Sequence, residues 1–361
     1  MKFVHIADMH FDMPFTSLNN INGLGELRRL EQRKVFKEII EYIIKNEIEY
    51  LFISGDLYEH EYVRLSTIEY INNLFYTIPN TKIFISPGNH DPYLVNSYYN
   101  KFNWCDNVYI LNSKVKRYEF KDIDIYGFGF EDFYMLNTKI NEIQIKDKNK
   151  INILITHGSL DEGGDEYRQY NPMSKKELKE LGFDYIALGH IHKLNYQEDK
   201  NQRIVYPGST ISLGFDELGQ HGIISGYISK SNLNIELIPF DKKEFKEKEI
   251  NISTINSQEE LIEYLNNLKL PEQVYYKIIL KGNKNFEINI YKILKYISNE
   301  NIIKIKNNTE EDYDLEKIKN ENNLKGIFVN ELLELIKKEE KNKDKILTAI
   351  NIGLDNLENK R

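Results

Sequence analysis

Short apolar runs and helix-period stripes alternate along the first two hundred residues. Phe3-Val4-His5-Ile6, Tyr50-Leu51-Phe52-Ile53-Ser54, Ile83-Phe84-Ile85, Ile151-Asn152-Ile153-Leu154-Ile155 and Tyr185-Ile186-Ala187-Leu188 are too short for helices. Turn-forming or polar residues follow each run, a pattern that predicts buried strands. Between the first two runs, Phe36, Ile39, Ile40, Ile43 and Ile44 fall at i, i+3, i+4, i+7 and i+8. That stripe predicts a helix over about 26–46 packed on a sheet. A second helix is expected over about 65–77. Strand, helix, strand, helix, strand is the order of a parallel sheet built from crossover units. Further on, Ser174 and Glu177 have capping-box spacing and set the start of another helix. Short strands and turns are expected within 108–130, then strands at about 222–228 and 234–240.

The pattern changes near Asp241, where Lys, Glu and Asn take over. Residues 242–249 read as a solvated linker. A helix (257–268), a strand (274–281), a helix (285–298) and a strand (302–306) follow, which makes a small α/β unit over 250–310. Residues 311–361 read as a helical tail. Its apolar positions are Phe328, Val329, Leu332, Leu333 and Ile336, then Ile346, Leu347, Ile350, Leu354 and Leu357. Such a tail either docks in a groove or folds back on its own domain. The first domain is placed at 1–240, and no internal repeat of 20–50 residues is present.

Composition narrows the class. The chain has 361 residues, enough for two or three domains, with 41% apolar and 29% charged residues, ordinary for a globular protein. One cysteine, Cys105, excludes a disulfide framework and suits a reducing cytosol. No apolar run approaches a bilayer span, and Asp8 and His10 close behind the first strand are unlike a signal peptide. A cytoplasmic protein with no membrane partner is expected. The net charge is −8, and the acidity concentrates in the first 240 residues. That argues against a broadly basic nucleic-acid surface, although bound cations would invert the charge locally.

The chemistry lies just behind the strands: Asp8-Met9-His10, Gly55-Asp56, Gly88-Asn89-His90-Asp91, Thr156-His157 and Gly189-His190-Ile191-His192. Parallel strands end on one side of a sheet, so these motifs share an edge. A lone histidine there would read as a surface or core residue. Five, each within three residues of a Gly, Asp or Asn, point to a dinuclear metal site. Asp56 is the candidate bridge. Asp8, His10 and His192 complete one metal, and Asn89, His157 and His190 the other. Imidazole, carboxylate and amide oxygen suit Mn, Fe or Zn. His90 is left to steady a phosphate and protonate the leaving oxygen, with Asp91 orienting its imidazole. The reaction class is phosphoester hydrolysis.

In this order the five motifs resemble the calcineurin-like metallophosphoesterases over residues 3–192, with the same residue roles. The resemblance implies a four-layer αββα sandwich, two mixed sheets flanked by helices, with a small C-terminal α/β cap. Gly55-Asp56-Leu57-Tyr58-Glu59-His60 departs from the Gly-Asp-x-Val-Asp-Arg-Gly of the serine/threonine phosphatases. Residues 182–193, Pro207-Gly208-Ser209 and Phe215-Asp216-Glu217-x-Gly219-x-His221-Gly222 resemble the SbcD-like DNA repair nucleases instead. Ile352-Gly353-Leu354-Asp355-Asn356-Leu357 is similar to the tail of YhaO-type members. The resemblance implies Mn-dependent cleavage of DNA, a homodimer and an SbcC-type ATPase partner with a coiled coil. Some of these nucleases place a substrate-positioning histidine three residues after the bridging aspartate. Here that position is Glu59, and His60 is the candidate for the role. His5 and His221 are read as structural. The rival readings are a small-molecule phosphodiesterase or nucleotidase of the same fold, and a catalytically silent scaffold. The intact ligand set argues against the scaffold.

Overall fold

The computed structural model describes residues 1–15, 23–160, 169–195, 203–311 and 313–358. The chain divides into two compact units, Met1–Phe245 and Lys246–Arg361.

In the first unit the elements run β1 (Lys2–Ile6), α1 (Leu24–Asn46), β2 (Tyr50–Ile53), α2 (Leu65–Tyr76), β3 (Lys82–Ile85), α3 (Tyr98–Lys101) and β4 (Val108–Ile110). They continue through β5 (Lys116–Glu119), β6 (Ile123–Gly127), β7 (Ile151–His157), α4 (Lys175–Glu180), β8 (Tyr185–Gly189), β9 (Ile204–Val205), β10 (Gly222–Ile228) and β11 (Leu233–Pro239). One sheet has the order β11-β10-β1-β2-β3-β4, and β1 to β4 in it are parallel. The other has the order β5-β6-β7-β8-β9, parallel from β6 to β9. Both sheets are mixed, because β10 and β5 each join antiparallel.

The period-2 alternation of each strand makes the layers. Phe3, Tyr50, Phe52 and Phe84 share one cluster with Ile125, Ile153, Ile155, Tyr185 and Ala187, the core between the two sheets. Their neighbours Val4, Ile6, Leu51, Ile53, Ile83 and Ile85 pack with Phe36, Ile39 and Ile40 of α1 and Ile68 and Ile71 of α2. On the far side, Leu154, Ile186 and Leu188 pack with Leu178 of α4. The result is the α-β-β-α sandwich expected. His5 lies on the inter-sheet face, buried, with Nδ1 2.9 Å from Tyr185 Oη and Nε2 3.0 Å from Ser54 Oγ. Ser174 caps α4 as its spacing predicts, accepting from Glu177 N–H.

The second unit begins with a departure from expectation. Residues 242–249 are not a linker throughout: from Glu244 they belong to β12 (Glu244–Asn251), an edge strand in a three-stranded sheet of order β12-β13-β15. Its side chains are mostly exposed, with Phe245 and Ile250 buried. A charged edge strand keeps sheets from pairing further, and in sequence it looks like a solvated linker. Then come α5 (Gln258–Asn266), β13 (Val274–Lys281), β14 (Asn283–Lys284), α6 (Ile290–Tyr296), β15 (Ile302–Asn307), β16 (Glu310–Glu311), α7 (Leu315–Ile318), α8 (Leu324–Lys338) and α9 (Lys343–Glu358). The sheet and α5 enclose an apolar cluster that includes Ile250, Leu261, Leu265, Ile278 and Ile305. The tail folds on itself, with Val329, Leu332 and Leu333 of α8 packing against Ile346, Ile350 and Leu354 of α9. Among the described residues no helix is long and apolar enough to cross a membrane.

Candidate metal centre

The loops after β1, β2, β3, β7 and β8 bring the acidic and imidazole side chains together. Hydrogen bonds stitch these loops to one another: Asp8 N–H donates to Gly55 O, His10 N–H to Asp56 O and His90 N–H to Asp56 Oδ1. His190 N–H lies 3.0 and 3.2 Å from the two Asp8 oxygens. Gly55 (φ 90°) and Gly189 allow the two sheets to close here. A Cβ on either would collide with the His157 ring or the Ser54 carbonyl. Asp8, His10 and Asp56 stand at φ 51°, 48° and 50°, and His190 at 105°. Side-chain-bearing residues seldom adopt this region, and its concentration here marks backbone bent to aim side chains.

The atoms converge. Asp8, His10 and His192 offer ligand atoms within 4.8 Å of one another, as do Asp8, Asp56 and His157, and His10, Asp56 and His90. His157 Nε2 is 3.2 Å from Asp56 Oδ2 and 3.0 Å from Asn89 Oδ1. His190 Nδ1 is 3.1 Å from the same Asn89 oxygen, and His10 Nε2 is 3.1 Å from His192 Nε2. Asp8, His10, Asp56 and His157 are all but sealed from solvent.

Three histidines are held by their other nitrogen. His10 Nδ1 is 2.7 Å from Glu59 Oε1, His192 Nδ1 is 2.5 Å from Glu217 Oε1, and His157 Nδ1 is 2.8 Å from Ser54 O. An acceptor at Nδ1 keeps the proton there and leaves the Nε2 lone pair free, the arrangement a metal-ligating histidine needs. The donor set of carboxylates, imidazoles and one amide oxygen therefore fits divalent cations of the Mn, Fe or Zn type.

His90 stands apart at the rim, with 45% of its side chain exposed. Its Nδ1 is 2.9 Å from Glu59 Oε2, so Nε2 is the nitrogen open to a substrate. Glu59 thus joins a candidate ligand to the candidate acid. Burial works against its charge, but the hydrogen bonds from His10 and His90 outweigh that and bring its pKa down to about 2. Burial likewise opposes a charge on His90, yet the bond to Glu59 and the nearby Asp56 carry its pKa up to about 9.

Asp91 does not orient the His90 imidazole as the sequence suggests. Its Oδ1 accepts from Asp56 N–H (3.1 Å) and Gly88 N–H (2.6 Å), and its Oδ2 from Leu57 N–H (2.6 Å) and Tyr99 Oη–H (2.5 Å). Four donors fill the carboxylate, so it braces the loops after β2 and β3, and Glu59 orients His90 instead. His60 is held by its backbone, donating to His90 O, while its ring rests against Phe133 at 6.0 Å. No hydrogen bond links that ring to the cluster among the described residues. Its Nδ1 is buried without a partner. His221 is structural, with Nδ1 2.8 Å from Ser209 O and Nε2 3.0 Å from Glu217 O.

Sequence reasoning missed Glu59 and Glu217. Glu59 was visible as the departure three residues after Asp56. Glu217 lay inside the Phe215–Gly222 motif, where nothing local says that it reaches a histidine 25 residues earlier.

A fold of two facing sheets with an Asp, Asn and His cluster at their shared edge defines a metal-dependent phosphoesterase. The chain belongs to the calcineurin-like phosphoesterase family, whose model matches residues 1–194. Members of that family use divalent metals for hydrolysis. The chain is 24% identical over 245 residues to the uncharacterized metallophosphoesterase YhaO of Bacillus subtilis, covering 65% of this chain and 59% of that protein. It is 22% identical over 292 residues to the DNA double-strand break repair protein Mre11 of Archaeoglobus fulgidus, covering 72% of this chain and 63% of that one. The matched region therefore spans about three-fifths of each relative's length.

Proposed function

We propose that the chain is a two-metal phosphodiesterase that cleaves DNA, a nuclease of the SbcD/YhaO kind working with Mn2+. The observation that supports it most is that Nε2 of His10 and His157 turn to Asp56 and Nε2 of His192 meets that of His10, while Glu59, Ser54 and Glu217 hold the opposite nitrogens. In this reading Asp8, His10 and His192 would hold one ion, Asn89, His157 and His190 the other, with Asp56 available to both. Two such ions would supply an activated water at neutral pH and positive charge for the phosphate. The chain supplies the rest. His90, kept protonated by Glu59, directs Nε2–H at the phosphate and gives that proton to the leaving alkoxide. A P–O bond to water replaces the P–O bond to the sugar, leaving a phosphomonoester and an alcohol. The likeness to a named repair protein supports DNA as the substrate. An SbcC-type coiled-coil ATPase and a homodimer are proposed as partners on the resemblance of residues 182–193 and 207–222 to the SbcD-like nucleases.

The test is Mn-dependent cleavage of single-stranded and blunt duplex DNA by wild type, His90→Ala and Asp56→Asn. Cleavage is expected from wild type. His90→Ala should lose about 10²–10⁴-fold in kcat with its metal content kept. Asp56→Asn should lose metal and activity together. A wild type that hydrolyses bis-p-nitrophenyl phosphate but no DNA would favour the second reading, a small-molecule phosphodiesterase, which the net charge of −8 supports.

A further inference from the structure

One row of rings leads out of the metal centre. From His157, the rings of His190, Tyr170 and Tyr134 follow at centroid separations of 5.2, 4.9 and 5.9 Å. The His190–Tyr170 and Tyr170–Tyr134 planes differ by 38° and 30°, nearer to stacked than to edge-on. Tyr134 ends the row with 57% of its surface exposed, whereas Tyr58, Tyr126, Tyr185 and Tyr206 are core residues. Leu136, two residues on, is 64% exposed.

Hydrogen bonds fix the segment that carries Tyr134. Phe130 N–H donates to Pro87 O, and Phe130 O accepts from Tyr93 N–H, which ties its start to the His90 loop. Met135 N–H donates to Gln169 O, Met135 O accepts from Asn171 N–H, and Asn171 Nδ2 donates to His157 O. Residues 130–136 therefore border the centre from the His90 loop to the His157 strand end. Met135 pairs with Tyr170 through its backbone and buries its side chain, while Tyr134 and Leu136 on either side of it are exposed.

A single exposed tyrosine is ordinary on a protein surface. One backed by a second tyrosine that lies on a candidate metal ligand is a different feature. We propose that Tyr134, backed by Tyr170 and flanked by Leu136, is a stacking platform for a nucleobase of the phosphodiester bound at the metal centre. This rests on the phosphodiesterase reading and adds how the substrate is held. A base is joined to its phosphate through one sugar, and Tyr134 stands two ring-stacking steps from His190. Every base has a π face, so the platform grips without regard to sequence. It also suits a chain of net charge −8, which lacks the excess of cations that would grip phosphates broadly.

The test is equilibrium binding in Ca2+ of a fluorescein-labelled oligothymidylate and of an abasic oligomer of equal length. Wild type, Tyr134→Ala and Tyr134→Phe are compared by anisotropy, and bis-p-nitrophenyl phosphate hydrolysis in Mn2+ is measured beside them. Wild type is expected to prefer the base-bearing strand. Tyr134→Ala should lose about 5- to 100-fold on that strand and nothing on the abasic one, and Tyr134→Phe should keep the preference. Equal loss on both strands, or a wild type without preference, overturns the platform. If the platform result holds while no phosphodiester is hydrolysed, the enzymatic reading falls and the platform stands.

Discussion

In the first unit Asp8, His10, Asp56, Asp91 and His157 are buried. In the second, among the described residues, no polar or charged side chain is sealed to that degree, and Gln258 at 8% exposure comes nearest. The histidines divide more sharply, since all eight precede residue 222. The second unit is held by an apolar cluster of the ordinary kind, where burial and stability point the same way. The first unit sets charged groups in its interior, each a cost unless a partner or ion offsets it. Buried polarity at one sheet edge therefore separates the part of the chain built to do chemistry from the part built to hold a shape.

Breaking that contrast most strongly takes Asp91. Asp91→Ala would leave three backbone N–H groups and the Tyr99 hydroxyl without their acceptor, at about 1–3 kcal/mol for each buried orphan. A loss of at least about 3 kcal/mol in the first unit is expected, read from the urea midpoint of its transition. Hydrogen exchange in β13 and β15 should stay as in wild type. A stable Asp91→Ala protein with a changed His90 titration would restore the role the sequence first assigned to Asp91.

A smaller effect comes from the carboxylates behind the ligands. Glu217→Gln, and separately Glu59→Gln, should weaken metal binding by about 10–100-fold, measured by calorimetric titration of Mn2+ into metal-free protein. Glu59→Gln should also reduce kcat, because Glu59 holds His90 as well as His10. Unchanged affinity in both variants would make these contacts incidental.

The third effect is absent at neutral pH and appears only as a slope on the acid side. Burial pushes His5 down to about 3, while the unfolded chain has it near 6.5. Between those values the unfolded state binds the extra proton, so stability falls as pH falls from about 6.5 toward 3, by up to about 1.4 kcal/mol per pH unit. His5→Gln should flatten that part of the profile in urea melts of the first unit. The second unit has no histidine and should show no such slope above the carboxylate range.

The strands and the five motifs were legible because each depends on neighbours in sequence. An apolar run, a glycine turn and a ligand side chain fall within about ten residues. The four layers came from the family resemblance alone, because runs such as Phe3–Ile6 and Tyr50–Ile53 are apolar on both faces and show no alternation. What could not be read depends on distant partners. Glu59 meets His10 across 49 positions, and Asp91 turns from His90 to the amides of Asp56 and Leu57. Residues 242–249 were misread because β12 buries little of its length, so its composition carries no period-2 signal.

The alternation of faces has one more consequence, for how such a chain changes over generations. Each strand feeding the cluster has its successive residues committed to opposite layers, and the ligands sit at a fixed count beyond it. Deleting one residue inside β1 would swap the faces of its remaining side chains and re-aim Asp8 and His10. Insertions and deletions are therefore barred from these strands and confined to the connections at their ends. Substitutions are free wherever they keep apolar character. A lineage under those two rules drifts far in identity while the spacing from strand to ligand stays fixed, and relatives only 22–24% identical still align along most of its length.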